Sequence, residues 1–69
     1  MKYKIAFYEN GAFASYLGTE FDDVADAMAA YTAYFLNVSA AGLTAEQHGP
    51  MCFTYDRYGT PCAVKIEET

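Results

Sequence analysis

Few side chains in this sequence have the means to do chemistry, and none is placed to do it. His48 is the single histidine, in Gln47-His48-Gly49-Pro50, with no Ser or Cys nucleophile at a recognisable spacing, so a surface loop position is expected. Cys52 and Cys62 lack the two-residue gap of a thioredoxin-like motif. On a hairpin they fall as diagonal neighbours about 7–8 Å apart, beyond easy disulfide reach, and are expected as two small core thiols. Two Cys and one His, without a carboxylate cluster at ligand spacing, do not make a structural zinc site. The reading is of a protein that is not an enzyme and holds no cofactor and no metal. Its function has to be argued from shape and charge.

The elements that position these residues belong to a chain of 69 residues with nine Asp/Glu against four Lys/Arg, net charge −5, and a 54% hydrophobic fraction. That reads as one small acidic domain over 1–69. A chain of this length buries only about 60% of the surface its unfolded form exposes, and the sequence offers no disulfide framework or metal as a staple. The acidic balance opposes direct binding to nucleic acid or to an anionic membrane surface, because carboxylates repel where counterion release needs Lys or Arg. The apolar run after Lys2 and Lys4 ends at Glu9-Asn10, short of a secretory h-region of about 7–15 residues. No stretch reaches the roughly 20 apolar residues of a membrane span. A cytoplasmic, monomeric protein with reduced cysteines is expected.

Residues 2–9 and 12–17 read as a hairpin around Asn10-Gly11, with Gly18 ending the second strand. A two-residue turn puts Ile5 and Phe7 on one face with Ala14 and Tyr16, whereas a three-residue Glu9-Asn10-Gly11 loop groups Tyr3, Ile5, Phe7, Phe13 and Leu17. The second grouping makes the better core face. Residues 19–42 read as one helix with Thr19 or Asp22 as N-cap, Gly42 as its stop, and Phe21, Val24, Ala25, Met28, Tyr31, Thr32 and Phe35 as its inward stripe. Residues 43–50 read as a polar connection with room for one helical turn at 44–47. A second hairpin, 51–55 with 61–67, turns at Asp56-Arg57-Tyr58-Gly59, and a three-residue loop there groups Cys52, Thr54, Cys62, Val64 and Ile66 as the core face. The fold class is α+β: a two-layer ββαββ arrangement, one helix on a four-stranded antiparallel or mixed sheet. One helix covers one face, so Tyr8, Tyr16, Phe53 and Tyr55 are expected on a partly uncovered face.

The acids are unevenly placed. Glu20, Asp22, Asp23 and Asp26 fall within seven residues, and no cation occurs between residues 5 and 56. Acids at a helix N-terminus are ordinary dipole complements. The rest of the expected outer surface, Ala29, Ala30, Ala33, Tyr34 and Asn37, lacks the Lys, Arg and Glu of a merely solvated helix. A smooth negative face beside a tyrosine suits a basic groove on another protein.

The short single domain, the ββαββ order, the segment Thr19-Glu20-Phe21-Asp22-Asp23-Val24-Ala25-Asp26 and the lack of catalytic groups together resemble the small phage-encoded inhibitors of bacterial defence. These are the anti-CRISPR and antirestriction proteins, several of which act as DNA mimics, and the sequence looks most like a type I-C anti-CRISPR. The resemblance is one of pattern and carries no diagnostic motif. It implies an inhibitor, active in the host bacterial cytoplasm, that occupies the DNA-binding surface of a type I Cascade subunit where the PAM duplex is read. The expected partner-binding set is Glu20, Asp22, Asp23 and Asp26, with Tyr34 as aromatic anchor and Asp56 extending the patch. The other reading is a phage accessory or structural module that docks or oligomerises through its aromatic sheet face.

Overall fold

A computed structural model describes all 69 residues, in the order β1 (Tyr3–Glu9), β2 (Ala12–Phe21), α1 (Val24–Ala40), β3 (Ala45–Gln47), β4 (Cys52–Arg57) and β5 (Thr60–Glu68). The class is α+β with a single helix, as expected, but the sheet has five strands rather than four, all antiparallel, in the order β2-β1-β5-β4-β3. The added strand replaces the helical turn expected at 44–47. Ala45 is half-buried against the core, and pairing with Tyr55 outweighs the local capping signal.

Both hairpins close on two-residue turns, not three. Glu9 pairs with Ala12 across Asn10-Gly11, and Arg57 pairs with Thr60 across Tyr58-Gly59. All four turn residues have positive φ (54°, 79°, 52° and 92°), the conformation whose twist matches that of the strands. In the second hairpin this one-residue difference exchanges the faces of β4. Phe53 pairs with Val64 and is fully buried under the helix, while Cys52 and Thr54 move to the far face. In the first hairpin a bulge at Ala14 cancels the difference: Tyr8 pairs with Phe13, but Phe7 pairs with Ser15 and Ile5 with Leu17. Leu17 therefore joins Ile5 on the core face as expected, and Phe13 goes to the opposite face with Tyr8 and Tyr16.

The helix starts at Val24, later than expected, because β2 runs on through Gly18 to Phe21, which pairs with Tyr3 and packs on the core. Asp23, not Thr19 or Asp22, is the N-cap, and its carboxylate accepts from the Ala25 N–H at 2.9 Å. Gly18 holds φ +73°, and a Cβ there would lie 3.3 Å from the Tyr34 hydroxyl. At the other end Gly42 N–H donates to Ser39 and Leu43 N–H to Val38, the paired bonds of a Schellman stop.

Ala27 and Tyr31 are buried, with Ala30, Tyr34, Phe35 and Val38 packed beside them. The inward stripe is thus turned relative to expectation, and Ala25, Met28 and Thr32 face solvent. Phe53 is the centre of the core, edge-on to Tyr31 at 5.3 Å and Phe35 at 5.2 Å and stacked on Tyr55 at 6.0 Å. A phenyl ring buried to this degree contributes about 1.5–3 kcal/mol. Tyr55, expected on the uncovered face, likewise belongs to the helix side.

Candidate docking surfaces

The acidic segment sits where the last residues of β2 turn into the helix. Asp22 pairs with the Lys2 ammonium across the sheet end, so the cluster is partly neutralised by a cation distant in sequence. That hydrogen bond, and then the charge behind it, lowers the Asp22 carboxyl below the usual carboxylate range and raises Lys2. Asp23 is committed to the helix cap. Glu20 and Asp26 are exposed and make no ion pair, which leaves them as the acids free to meet a partner.

Two residues of the expected set lie elsewhere. Tyr34 points toward the sheet, lining a groove of about 270 Å³ with Phe7, Leu17, Val38, Tyr55 and Arg57, because the helix is turned from its expected orientation. It is not an anchor on the outer surface. The exposed apolar side chains there are Met28 and Leu36, 37% and 60% exposed, with Ala25, Ala29, Thr32 and Ala33 among them. Met28 stood in the expected inward stripe, so the turn of the helix hid this feature from sequence reasoning. Asp56 lies at the β4–β5 turn, where it accepts from the Gly59 N–H at 2.7 Å. The helix begins beside the Tyr3–Phe21 pair and ends near Arg57, so Asp56 is at the far end from the cluster and does not extend it.

The second surface is the sheet face away from the helix. Tyr8, Phe13 and Tyr16 make an edge-to-face cluster there, with centroids 5.8 Å and 4.9 Å apart. The Lys65 ammonium lies 4.5 Å from the Tyr8 ring centroid and Lys4 lies 4.6 Å from that of Tyr16. The Tyr8 hydroxyl donates to Glu67, which raises its pKa. Ala6, fully buried on this same face, sits beside Tyr16 on one strand and Lys65 on the other.

The residues considered for chemistry are dispersed. Cys52 is half-buried opposite Lys65, while Cys62 is buried on the helix side opposite Tyr55, and both are free thiols. The expectation of two core thiols on one face fails with the register that moved Cys52. His48 is exposed at the end of β3, its Nε2 2.7 Å from the Thr54 hydroxyl. No group of three or more His, Cys, Asp or Glu stands close enough to share a metal ion. No helix is long and apolar enough to cross a membrane. One buried polar atom, the Tyr31 hydroxyl, has no hydrogen-bond partner, and burial raises its pKa. The nearby Gln47 amide tempers that shift but donates instead to the Gly49 carbonyl.

No known protein family, curated protein or solved structure matches this chain.

Proposed function

We propose that the protein is a non-enzymatic inhibitor that binds a basic, nucleic-acid-binding surface of a bacterial defence complex and excludes DNA from it. The observation that carries this reading is the outer surface of α1: no cation along Val24–Ala40, exposed Met28 and Leu36 among alanines, and unpaired Glu20 and Asp26 at its head. Carboxylates on such a face meet the Lys and Arg that otherwise meet phosphates, which speeds association, while the apolar side chains supply the desolvated centre that holds the complex. Combined with the resemblance to anti-CRISPR proteins, the target of first choice is the PAM-reading subunit of a type I Cascade. The contact set is Glu20, Asp26, Met28 and Leu36, with Asp22 shared between Lys2 and the partner.

The test is competition between this protein and a PAM-containing duplex for purified type I-C Cascade. Loss of duplex binding is expected, relieved by Glu20→Lys with Asp26→Lys and by Leu36→Asp, and weaker at high salt. Undiminished duplex binding in the presence of the wild-type protein would falsify the choice of target. A second reading, an interaction module that docks through the aromatic sheet face, is favoured by the exposure of Phe13 and Tyr16, 50% and 46%. Phe53 and Tyr55, once expected there, take no part in it.

A further inference from the structure

Tyr58 is the most exposed large apolar side chain of the molecule, 89% open to solvent at the tip of the β4–β5 turn, and it stands there with φ 52°. Asn holds such a turn position easily, as Asn10 does in the first hairpin, whereas a bulky residue in the left-handed region is an outlier. Nothing within the chain offsets that cost. Tyr58 makes no side-chain hydrogen bond, no ring pair and no cation contact. The turn that carries it is nevertheless firmly held: Asp56 accepts from the Gly59 N–H at 2.7 Å, Arg57 pairs with Glu9, and the Asn10 N–H donates to the Pro61 carbonyl at 2.8 Å, tying the second turn to the first. The ring is thus presented on a fixed backbone with only its own side-chain torsions left to freeze.

The Lys and Arg side chains of the protein are all engaged elsewhere. Of the four, Lys2 pairs with Asp22, Lys4 lies over the Tyr16 ring, Lys65 over Tyr8, and Arg57 over Phe7 with Glu9 on its guanidinium. Tyr58 is left with an uncovered ring, and Asp56, at the same turn, has no cation partner. A cation that uses both has to come from another molecule.

We infer, resting on the basic partner proposed above, that an arginine of that partner stacks on the Tyr58 ring and reaches Asp56 with the edge of its guanidinium. A guanidinium can do both at once, because it is planar, weakly hydrated and carries its N–H donors around the rim. Asp56 keeps an oxygen for it beyond the one given to Gly59. A lysine ammonium, a compact and strongly hydrated charge, suits the pair less well. The groove that Asn37 and Val38 share with Arg57 brings the end of α1 beside this hairpin, so Tyr58 stands at the Leu36 end of the helix. It adds an aromatic anchor there, at the opposite end from Glu20 and Asp26.

Surface plasmon resonance of purified type I-C Cascade over the immobilised protein, with a urea melt of each variant alongside, tests it. Tyr58→Asn keeps the turn and removes the ring. It is expected to unfold at higher urea than the wild type and yet to bind with a Kd about tenfold larger, the loss typical of an anchor, so that weaker binding is not a folding defect. Tyr58→Phe keeps the ring and is expected to stay within about threefold of the wild type. Asp56→Asn, whose amide oxygen still accepts from Gly59, is expected to raise Kd about fivefold and to flatten its dependence on salt. A Tyr58→Asn protein that binds as tightly as the wild type, a Tyr58→Phe protein that loses as much as Tyr58→Asn, or an Asp56→Asn protein of unchanged affinity overturns the inference and leaves the inhibitor reading standing. A wild type that does not bind the complex overturns both.

Discussion

The two hairpins close with the same kind of turn, yet one tolerates an extra residue and the other has no room for one. In β1–β2, Ala14 is looped out on the exposed edge strand, and the pairing resumes with Ser15 and Leu17 on the core face. In β4–β5 the register is continuous from Arg57–Thr60 to Cys52–Lys65, and alternate residues of β5 are buried. A bulge is inexpensive where one side of the strand is solvent. It would be costly where a shift of one residue exchanges a core ring for a surface side chain.

The sharpest way to test that contrast is to remove the same ring from each hairpin. Phe53→Ala is expected to cost about 3–5 kcal/mol, most of the total stability of a domain this size at about 0.05–0.15 kcal/mol per residue. Phe13→Ala, half-exposed, should cost less than about 1 kcal/mol by the area it removes from water. Urea melts that place the two within about 1 kcal/mol of each other would erase the distinction.

Deletions probe the register directly. Removing Ala14 leaves Tyr8 opposite Phe13 and Phe7 opposite Ser15, so the protein is expected to fold with its faces unchanged and its stability within about 1 kcal/mol. Removing Thr54 puts Phe53 and Tyr55 on opposite faces, and an unfolded chain is expected by circular dichroism. The turns themselves differ by one residue type. Tyr58 holds φ 52° and is 89% exposed, whereas Asn10, at φ 54°, is a residue that tolerates this region. Tyr58→Asn should stabilise by about 0.5–1 kcal/mol in the same melts, bringing the second turn level with the first.

The smallest effects are those of pH. Tyr8, Tyr31 and Tyr55 are all raised, Tyr8 by the hydrogen bond to Glu67 and the other two by burial. The folded state holds these protons more tightly than the unfolded chain. Their contribution is therefore present below the ordinary tyrosine value near 10 and is lost as pH rises through the folded values. Tyrosinate absorbance should show Tyr8 ionising with the fold intact, and the buried Tyr31 only with unfolding. At the acid end Asp22 works in the opposite sense. Its stabilising pair with Lys2 is present above about pH 4 and lost as pH falls through its lowered folded value, a dependence that Asp22→Asn should remove.

Much of the fold was legible in local signals. Asn10-Gly11 marks a turn whatever surrounds it, and Gly42-Leu43 ends the helix by backbone geometry alone. The register was not legible, because parity depends on single residues whose preferences differ little: Ala14 loops out only because Leu17 reaches the core when it does. The helix start was hidden for a similar reason, since Thr19–Phe21 carry capping residues but lie within reach of Tyr3, and pairing prevails over capping. Of the acidic site, its existence was visible in the run of carboxylates. The commitments of Asp22 to Lys2 and Asp23 to the cap were not, because one depends on a residue twenty positions away and the other on where the helix begins.

The central place of β5 has a consequence for how the molecule is assembled. The strands that precede it form two separate pairs, β1 with β2 and β3 with β4, and neither pair hydrogen-bonds to the other until β5 lies between them. Tyr3 is paired with Glu68, so the first and last strands of the domain close the same ladder. No leading fragment contains a complete sheet, and the core around Phe53 and Ile5 has no shape before the last strand is in place. Folding is thereby made a single event at the scale of the whole domain, slow for its size because its decisive contacts span nearly the full length of the chain.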